Sequence, residues 1–456
     1  MNRREFLRRT AMLGAAALAG GCQSEHIAAG RGPNVILILA DDLGYGDVGC
    51  YGCADIRTEA IDALAERGVR FTQFYANGPE CTPTRTALLT GRYQHRVGGM
   101  ECALGIGNVG RYDDAIRLCE KHELGLPVEE TTIARMLKDG GYATACIGKW
   151  HLGYEPKFYP NQHGFDYSFG PIGGSADYFH HTEYTGDNAL YENGKPVKRA
   201  GYMTDLISDE AVRFVTGHLA KPFFLYVAYT APHTPYQGPD DAHDAPVAEA
   251  DYNTGDRRTY QAMVESMDRG IGRIVAAVED GGLAENTIII FASDNGANKK
   301  GRNTPLSGFK GGLFEGGIRV PCVIRFDGRI EAKTVCEQPC MTMDLSRSIV
   351  RLAGVQAPVG RLFDGMDIVD HVENNRMARD RNLFWRARRG ERTWKAVRSG
   401  DLKYICRQDG GTVAEYLFDL SSDAAEEHDL LASRRQEARR LKDLLVLWES
   451  HVRHHR

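Results

Sequence analysis

Four segments of the chain are continuously apolar over the length of a β-strand and then stop at a polar cluster. Val35-Ile36-Leu37-Ile38-Leu39-Ala40 runs into Asp41-Asp42, and Tyr142-Ala143-Thr144-Ala145-Cys146-Ile147 into Gly148-Lys149-Trp150-His151. Phe223-Phe224-Leu225-Tyr226-Val227-Ala228 reaches Tyr229-Thr230-Ala231-Pro232-His233, and Thr287-Ile288-Ile289-Ile290-Phe291-Ala292 reaches Ser293-Asp294-Asn295-Gly296. Unbroken apolar runs, without alternation, predict strands buried on both faces and hence a mostly parallel sheet. Helical segments lie between them: Thr58 to Arg67 before Gly68, Thr132 to Asp139 before Gly140-Gly141, and Tyr260 to Glu279 before Asp280-Gly281-Gly282. This alternation predicts an α/β fold, a mostly parallel central sheet sandwiched by helices.

In open α/β sheets, ligands bind beyond the carboxyl ends of the strands. All four polar clusters fall at such ends, so they are expected to converge on one site. Taken singly, each has a plainer reading. Asp41-Asp42 suits a cap or turn, Lys149 and His151 a solvated loop, His233 a turn between prolines, and Asp294-Asn295-Gly296 ordinary turn chemistry. Their recurrence at four matching strand ends favours the shared site.

A fifth segment, Cys81-Thr82-Pro83-Thr84-Arg85, is followed by Thr86-Ala87-Leu88-Leu89-Thr90-Gly91-Arg92. Thr82 is predicted as the N-cap, Pro83 suits the first turn, and Gly91 suits a left-handed C-cap. Cys81 then lies at a helix N-terminus, where free N–H groups favour an anion. The placement fits either a nucleophile or a small buried cysteine.

With 456 residues the natural expectation is two domains. The net charge of −5 becomes −8 from Cys22 onward once the +3 of the leader is set aside, so no global field attracts polyanions. Nucleic acid is not an expected partner. Arg3-Arg4-Glu5-Phe6-Leu7 resembles a twin-arginine export signal. The apolar stretch Ala11 to Gly21 is too short to span a bilayer. Leu18-Ala19-Gly20-Gly21-Cys22 resembles a lipobox, with Cys22 lipidated or merely next to a cleavage site. The expectation is an exported protein of the periplasm or cell envelope, meeting membrane only through this lipid anchor. Of 11 cysteines, Cys50/Cys53 and Cys336/Cys340 lack the companion spacing of a zinc module. They read as structural thiols or a disulfide in an oxidising compartment.

The block from Asn34 to Asp47, Cys81 to Arg92, Gly148 to Gly153, Ala231 to Tyr236, Ser293 to Gly296 and Gly308 to Pro321 resembles the successive signatures of the type I sulfatases, in that family's order. Ala396 to Tyr404 and Leu417 to Leu420 resemble its small second domain. The resemblance implies an alkaline-phosphatase-like catalytic domain over 31–360, after a signal segment over 1–30. It also implies a C-terminal α+β subdomain over 361–456 with a short antiparallel sheet. It implies oxidation of Cys81 to formylglycine by the host's modifying machinery. It further implies one divalent cation on Asp41, Asp42, Asp294, Asn295 and the Cys81-derived hydrate. An all-oxygen set suits Ca²⁺, or Mg²⁺, and not zinc.

The implied reaction is nucleophilic. One hydroxyl of the hydrate attacks the sulfur of a sulfate ester, and His233, with Lys310 beside it, protonates the leaving alcohol. His151 then takes the proton of the second hydroxyl, sulfate leaves and the aldehyde re-forms. Arg85, Lys149 and Lys310 balance charge on the sulfuryl oxygens. Thr84 departs from the serine usual at the fourth motif position. The alternatives are a phosphomonoester or phosphonate hydrolase of the same superfamily, and an inactive glycan-binding surface lipoprotein. The expected substrate is a sulfated carbohydrate. Its candidate contacts lie in the loops Gly98 to Glu123, Gly173 to Gly201 and Gly238 to Thr259, including Arg111-Tyr112-Asp113-Asp114 and Asp177-Tyr178-Phe179-His180-His181.

Overall fold

The computed structural model describes residues 32–105 and 111–453; the leader and Cys22 lie outside them. Pro33–Arg456 form one compact unit. Its strands are β1 (Asn34–Ala40), β2 (Val69–Phe71), β3 (Phe74–Tyr75), β4 (Ala143–Gly148), β5 (Tyr167–Pro171), β6 (Leu190–Glu192), β7 (Lys195–Pro196) and β8 (Phe223–Ala228). They continue with β9 (Thr287–Ser293), β10 (Cys322–Phe326), β11 (Thr334–Cys336), β12 (Cys340–Met341), β13 (Asn382–Arg389), β14 (Arg392–Ser399), β15 (Leu402–Asp409) and β16 (Thr412–Asp419). Ten of them form one sheet in the order β11-β2-β10-β9-β1-β8-β4-β5-β6-β7.

The four strands expected from the apolar runs are the contiguous centre of this sheet, β9-β1-β8-β4, and all pair in parallel. Alternate residues of β1 serve opposite faces. Val35, Leu37 and Leu39 join one apolar core with the helices Ile133–Asp139 and Thr342–Leu352. Ile36 and Ile38 join a second core with Glu59–Glu66, Met203–Gly217 and Arg257–Asp280. Burial on both sides explains the absence of polar alternation. The expected fold class is thus the observed one. β10 runs antiparallel to both its neighbours, as do β6 and β7 to theirs, so the sheet is mixed at its flanks.

Helix limits differ from the sequence expectation where side chains cap the first turn, either locally or from another helix. The helix Arg257–Asp280 begins three residues early because the Asp256 carboxylate accepts the Thr259 N–H. The N-terminus of Glu59–Glu66 is capped from another helix. Asp268 accepts the Ala60 and Ile61 N–H groups at 2.9 Å each, while the Thr58 hydroxyl accepts the Gly49 N–H.

β13 to β16 form an antiparallel meander with the helix Arg435–His451 packed on it. Its apolar side takes in Tyr75, Ala87 and Leu313 from the earlier part of the chain. Polar ties reinforce the contact: Trp385 Nε1 donates to Ala76 O (2.9 Å), and fully buried Lys403 bridges Glu315 (2.8 Å) and Glu426 (2.9 Å). Glu426 in turn accepts the Glu315 N–H and the Ser307 hydroxyl, clamping the loop that carries Lys310. The ten described cysteines are all free, so no disulfide forms among them. Removing Lys403 would leave two buried carboxylates facing each other. Lys403→Met is expected to cost about 3–5 kcal/mol in a denaturant-unfolding experiment.

Candidate active site

The parallel register sets the site. Ala40 of β1 pairs with Ser293 of β9, and Leu39 of β1 and Gly148 of β4 both pair with Ala228 of β8. Asp41, Asp294, Lys149 and Tyr229 therefore leave four adjacent strands at one level. Backbone pairing continues past the strand ends: Asp294 N–H donates to Ala40 O and Asp41 N–H to Ala231 O, both at 3.1 Å, and Lys149 N–H to Ala228 O at 2.7 Å. Gly148 makes the last bond possible. Its φ is +110°, and a Cβ there would fall 1.9 Å from Ala228 O. Asp42 (φ 68°) and His151 (φ 59°) are non-glycine residues in left-handed backbone, a strain typical of functional positions.

Cys81 opens the helix Cys81–Thr90, which ends at Gly91 with φ 68° as expected. The N-cap is Glu80, not Thr82, and no side chain caps it. Thr82 is instead spent on tertiary bonds: its hydroxyl donates to His151 O (3.0 Å) and accepts the Leu104 N–H (3.1 Å). Thr84 closes the preceding turn, its hydroxyl donating to Gly78 O and accepting from Gly78 N–H, both at 3.1 Å. A serine would supply the same two bonds, so Thr84 keeps the polar function of the usual residue.

The expected catalytic and metal-binding residues gather around Cys81. Its Sγ is 3.3 Å from Asp41 Oδ1 and 3.6 Å from Lys310 Nζ. Arg85, fully buried, donates Nε and Nη2 to Asp294 Oδ2 at 3.0 and 2.8 Å and Nη1 to Lys149 O. Lys149 pairs with Asp41, and Lys310 with Asp42 at 2.7 Å. Asn295 Nδ2 donates to Asp42 Oδ1 at 2.8 Å. Burial pushes the Asp42 carboxyl up, but Lys310 and His233 outweigh it and hold it at about 2. Burial and Asp41 push Asp294 up to about 6, against Arg85. Burial works against the charge of Lys310, yet Asp42, Cys81 and Asp41 hold its pKa well above the usual value.

The histidines are oriented by carbonyls, which can only accept. His151 donates Nε2–H to Leu104 O, so Nδ1, which has no partner, carries the lone pair. Burial keeps this ring neutral at physiological pH, its pKa well below the usual value. His233 donates Nδ1–H to Thr234 O at 2.8 Å and turns Nε2 toward Asp42 Oδ2, 3.8 Å away.

A divalent cation fits this donor set. Asp41, Asp42, Cys81 and His233 offer atoms within 4.8 Å of one another, and the buried Asn295 Oδ1 has no hydrogen-bond partner. Three buried carboxyl groups beside an orphaned amide oxygen form an oxygen-rich cradle suited to a hard ion. No described helix is long and apolar enough to cross a membrane.

The site opens into a cavity of about 590 Å³, whose walls include Cys81, His151, His233 and Lys310. Each of the three expected substrate loops contributes: Arg111, Glu183 and Tyr252 line it, one from each. Within them, the run Asp177 to His181 is framework. The Asp177 carboxylate is used on the Phe179, His180 and Val247 N–H groups, Tyr178 donates to His233 O, and His181 bonds Gly201 O. Tyr112 and Asp113 line a different pocket. Three wall residues, Glu80, Tyr154 and Arg389, lie outside the expected loops and motifs. Arg389 arrives from the end of β13 and donates to Glu80 at 2.7 Å, and Tyr154 follows the His151 loop.

Residues 33–355 match the sulfatase family model. The chain belongs to the sulfatase family. It is 33% identical to mouse steryl-sulfatase, over 74% of this chain and 65% of that protein. It is equally identical to N-acetylgalactosamine-6-sulfatase of Canis lupus familiaris, over 81% of this chain and 71% of that one. The solved structure of Ps i-CgsB superposes with a TM-score of 0.80 at 33% identity, covering 92% of this chain and 93% of that one. A phosphonate monoester hydrolase of Agrobacterium radiobacter shares the fold with a TM-score of 0.63 at 21% identity. The expectation of a sulfuric ester hydrolase is met at the level of the family.

Burial pushes the Cys81 thiol pKa up far beyond the usual value, Asp41 adding to it against Lys149 and Lys310. An unmodified Cys81 is therefore a poor nucleophile. Iodoacetamide at pH 8 is expected to leave an unmodified Cys81 unlabelled in the folded protein and to label it once guanidinium unfolds the chain, read by peptide mass spectrometry.

Proposed function

We propose that this protein removes sulfate from a sulfated carbohydrate, with Cys81 converted to formylglycine and Ca²⁺, or Mg²⁺, held by Asp41, Asp42, Asp294 and Asn295. The observation that carries the reading is the convergence of three carboxyl groups, three cationic side chains and two histidines on one buried cysteine at a helix N-terminus. A thiol at this position is too basic to attack, whereas a hydrated aldehyde supplies two hydroxyls, one to attack sulfur and one to expel the bound sulfate.

The chain's own residues divide the remaining work. His151 accepts a proton at Nδ1, the nitrogen left free by the Leu104 carbonyl. Burial and Lys310 hold the His233 pKa down at about 3, so its Nε2 carries no proton at neutral pH. The proton for the leaving alcohol comes from Lys310 Nζ, which shares the Asp42 carboxylate with His233. Lys149, Lys310 and Arg85 neutralise the sulfuryl oxygens. Their present partners are the carboxylates, which a bound cation would share, freeing the ammonium groups for substrate. Lys149→Ala is expected to lower kcat by about 10²–10³-fold on any cleaved sulfate ester, since one preorganised donor is worth that much.

Carbohydrate as substrate draws on the polar cavity and on two relatives. One is named N-acetylgalactosamine-6-sulfatase, and Ps i-CgsB has been solved with k-i-k-neocarrahexaose. Export and lipidation at Cys22 remain part of the proposal, supported by Arg3-Arg4 and Leu18 to Cys22.

Two measurements test the reading together. The tryptic peptide spanning Cys81, taken from the native host, is expected to carry an aldehyde in place of the thiol. A panel of defined sulfated oligosaccharides is expected to be desulfated in a chelator-sensitive manner that Ca²⁺ restores. An intact thiol in active protein, or turnover of aryl phosphate without any sulfate ester, would overturn it.

A further inference from the structure

Glu183 is a buried carboxyl that the chemistry above does not use. It stands at a tight turn beside the Thr182–Asn188 bridge, its N–H donating to Asp187 O at 2.9 Å. Its residue is 6% exposed, and that exposure faces the cavity shared with Cys81, His151, His233 and Lys310. Among the described residues no donor reaches its carboxyl oxygens. The groups acting on it are Lys149 and Asp187, and Tyr184 and Tyr252 face it as well. Burial pushes its pKa up to about 8, Asp187 adding and Lys149 opposing.

The wall behind it is built to receive it. A Cβ on Gly173 would fall 1.7 Å from Glu183 Oε1 and 3.0 Å from Tyr154 Cε1, so only glycine leaves room for the carboxyl beside the Tyr154 ring. Buried polar side chains almost always have a partner, and one without a partner inside a ligand cavity is poised for the ligand. At neutral pH this carboxyl is protonated and offers both a donor and an acceptor. A sugar hydroxyl offers the complementary acceptor and donor. Being neutral, the group also places no repulsive charge near the sulfate.

We propose that Glu183 is a specificity-determining residue whose carboxyl hydrogen-bonds a hydroxyl of the sugar ring that carries the scissile sulfate. This rests on the carbohydrate reading above. A site built to bond a hydroxyl discriminates strongly against substrates that lack one, so the effect belongs to sugar substrates and not to the sulfate chemistry.

The test compares wild type, Glu183→Ala and Glu183→Gln on a sulfated oligosaccharide and on a small aryl sulfate. Glu183→Ala is expected to raise KM for the oligosaccharide roughly tenfold or more while leaving aryl sulfate turnover within roughly twofold. Glu183→Gln, which also donates and accepts, is expected to restore most of the loss at pH 7. Equal kinetics for wild type and Glu183→Ala on the oligosaccharide, or an equal loss on both substrates, would overturn the proposal and leave the sulfatase reading standing. Wild type that cleaves only aryl sulfates would overturn the carbohydrate reading and this proposal with it. Should Glu183→Ala fail to fold, the pH profile decides. Oligosaccharide KM is expected to rise in wild type as pH passes about 8 and to stay flat in Glu183→Gln, and parallel profiles would sink the idea.

Discussion

Three carboxyl groups, those of Asp41, Asp42 and Asp294, are buried side by side at the ends of two adjacent strands, and the rest of the site answers to that charge. An isolated carboxylate there would carry a desolvation penalty of several kcal/mol. The fold meets it with Arg85 from the Cys81 helix, Lys149 from the end of β4 and Lys310 from the 303–317 loop. Each cation comes from a different part of the chain. The constraint therefore ties helix, sheet and loop to a common point and places Cys81 among them. The same three acids, with the orphaned Asn295 oxygen, form the cradle suited to a divalent ion.

Compensation of this kind leaves a site that is stable yet unsatisfied. The lysines are paired with carboxylates whose oxygens also suit a hard divalent ion. His151 has one nitrogen committed to Leu104 and the other open. Strained backbone at Asp42 and His151 persists because the neighbouring strands over-determine it. The four-stranded meander takes part at a distance. Through Lys403 and Glu426 it clamps the loop that delivers Lys310, so a module with no catalytic group still helps to set the active-site geometry.

The motif residues were legible because chemistry restricts them. Acids, an amide, lysines and histidines recurring at four strand ends are together suited to little besides holding ions and moving protons, and the apolar runs located the ends to within a residue. The loops that wall the cavity were legible, but which of their residues face it was not. Glu183 and Arg389 are ordinary residues of a turn and a strand end, and only the packing of Gly173 and the arrival of β13 give them meaning. The run Asp177 to His181 shows the reverse: its polar and aromatic composition suggested sugar contacts, but the backbone claimed the Asp177 carboxylate first. Thr82 had the right chemistry for an N-cap and was drawn instead to His151 and Leu104.

Sequence alone determined the α/β architecture and the central parallel strands, and its resemblance to the sulfatases named the candidate reactive groups. Hydrophobic periodicity is local, and the reactive residue types have few substitutes. Tertiary structure decided which edge-on register brings Asp41, Asp294 and Lys149 level, which nitrogen of each histidine is free, and which residues of the loops face the cavity. Those outcomes depend on hydrogen bonds and close contacts whose partners range from the next residue, as for His233 and Thr234, to residues hundreds of positions away, as for Asp294 and Ala40. No local pattern encodes them, because each partner's choice is settled only when both are buried together.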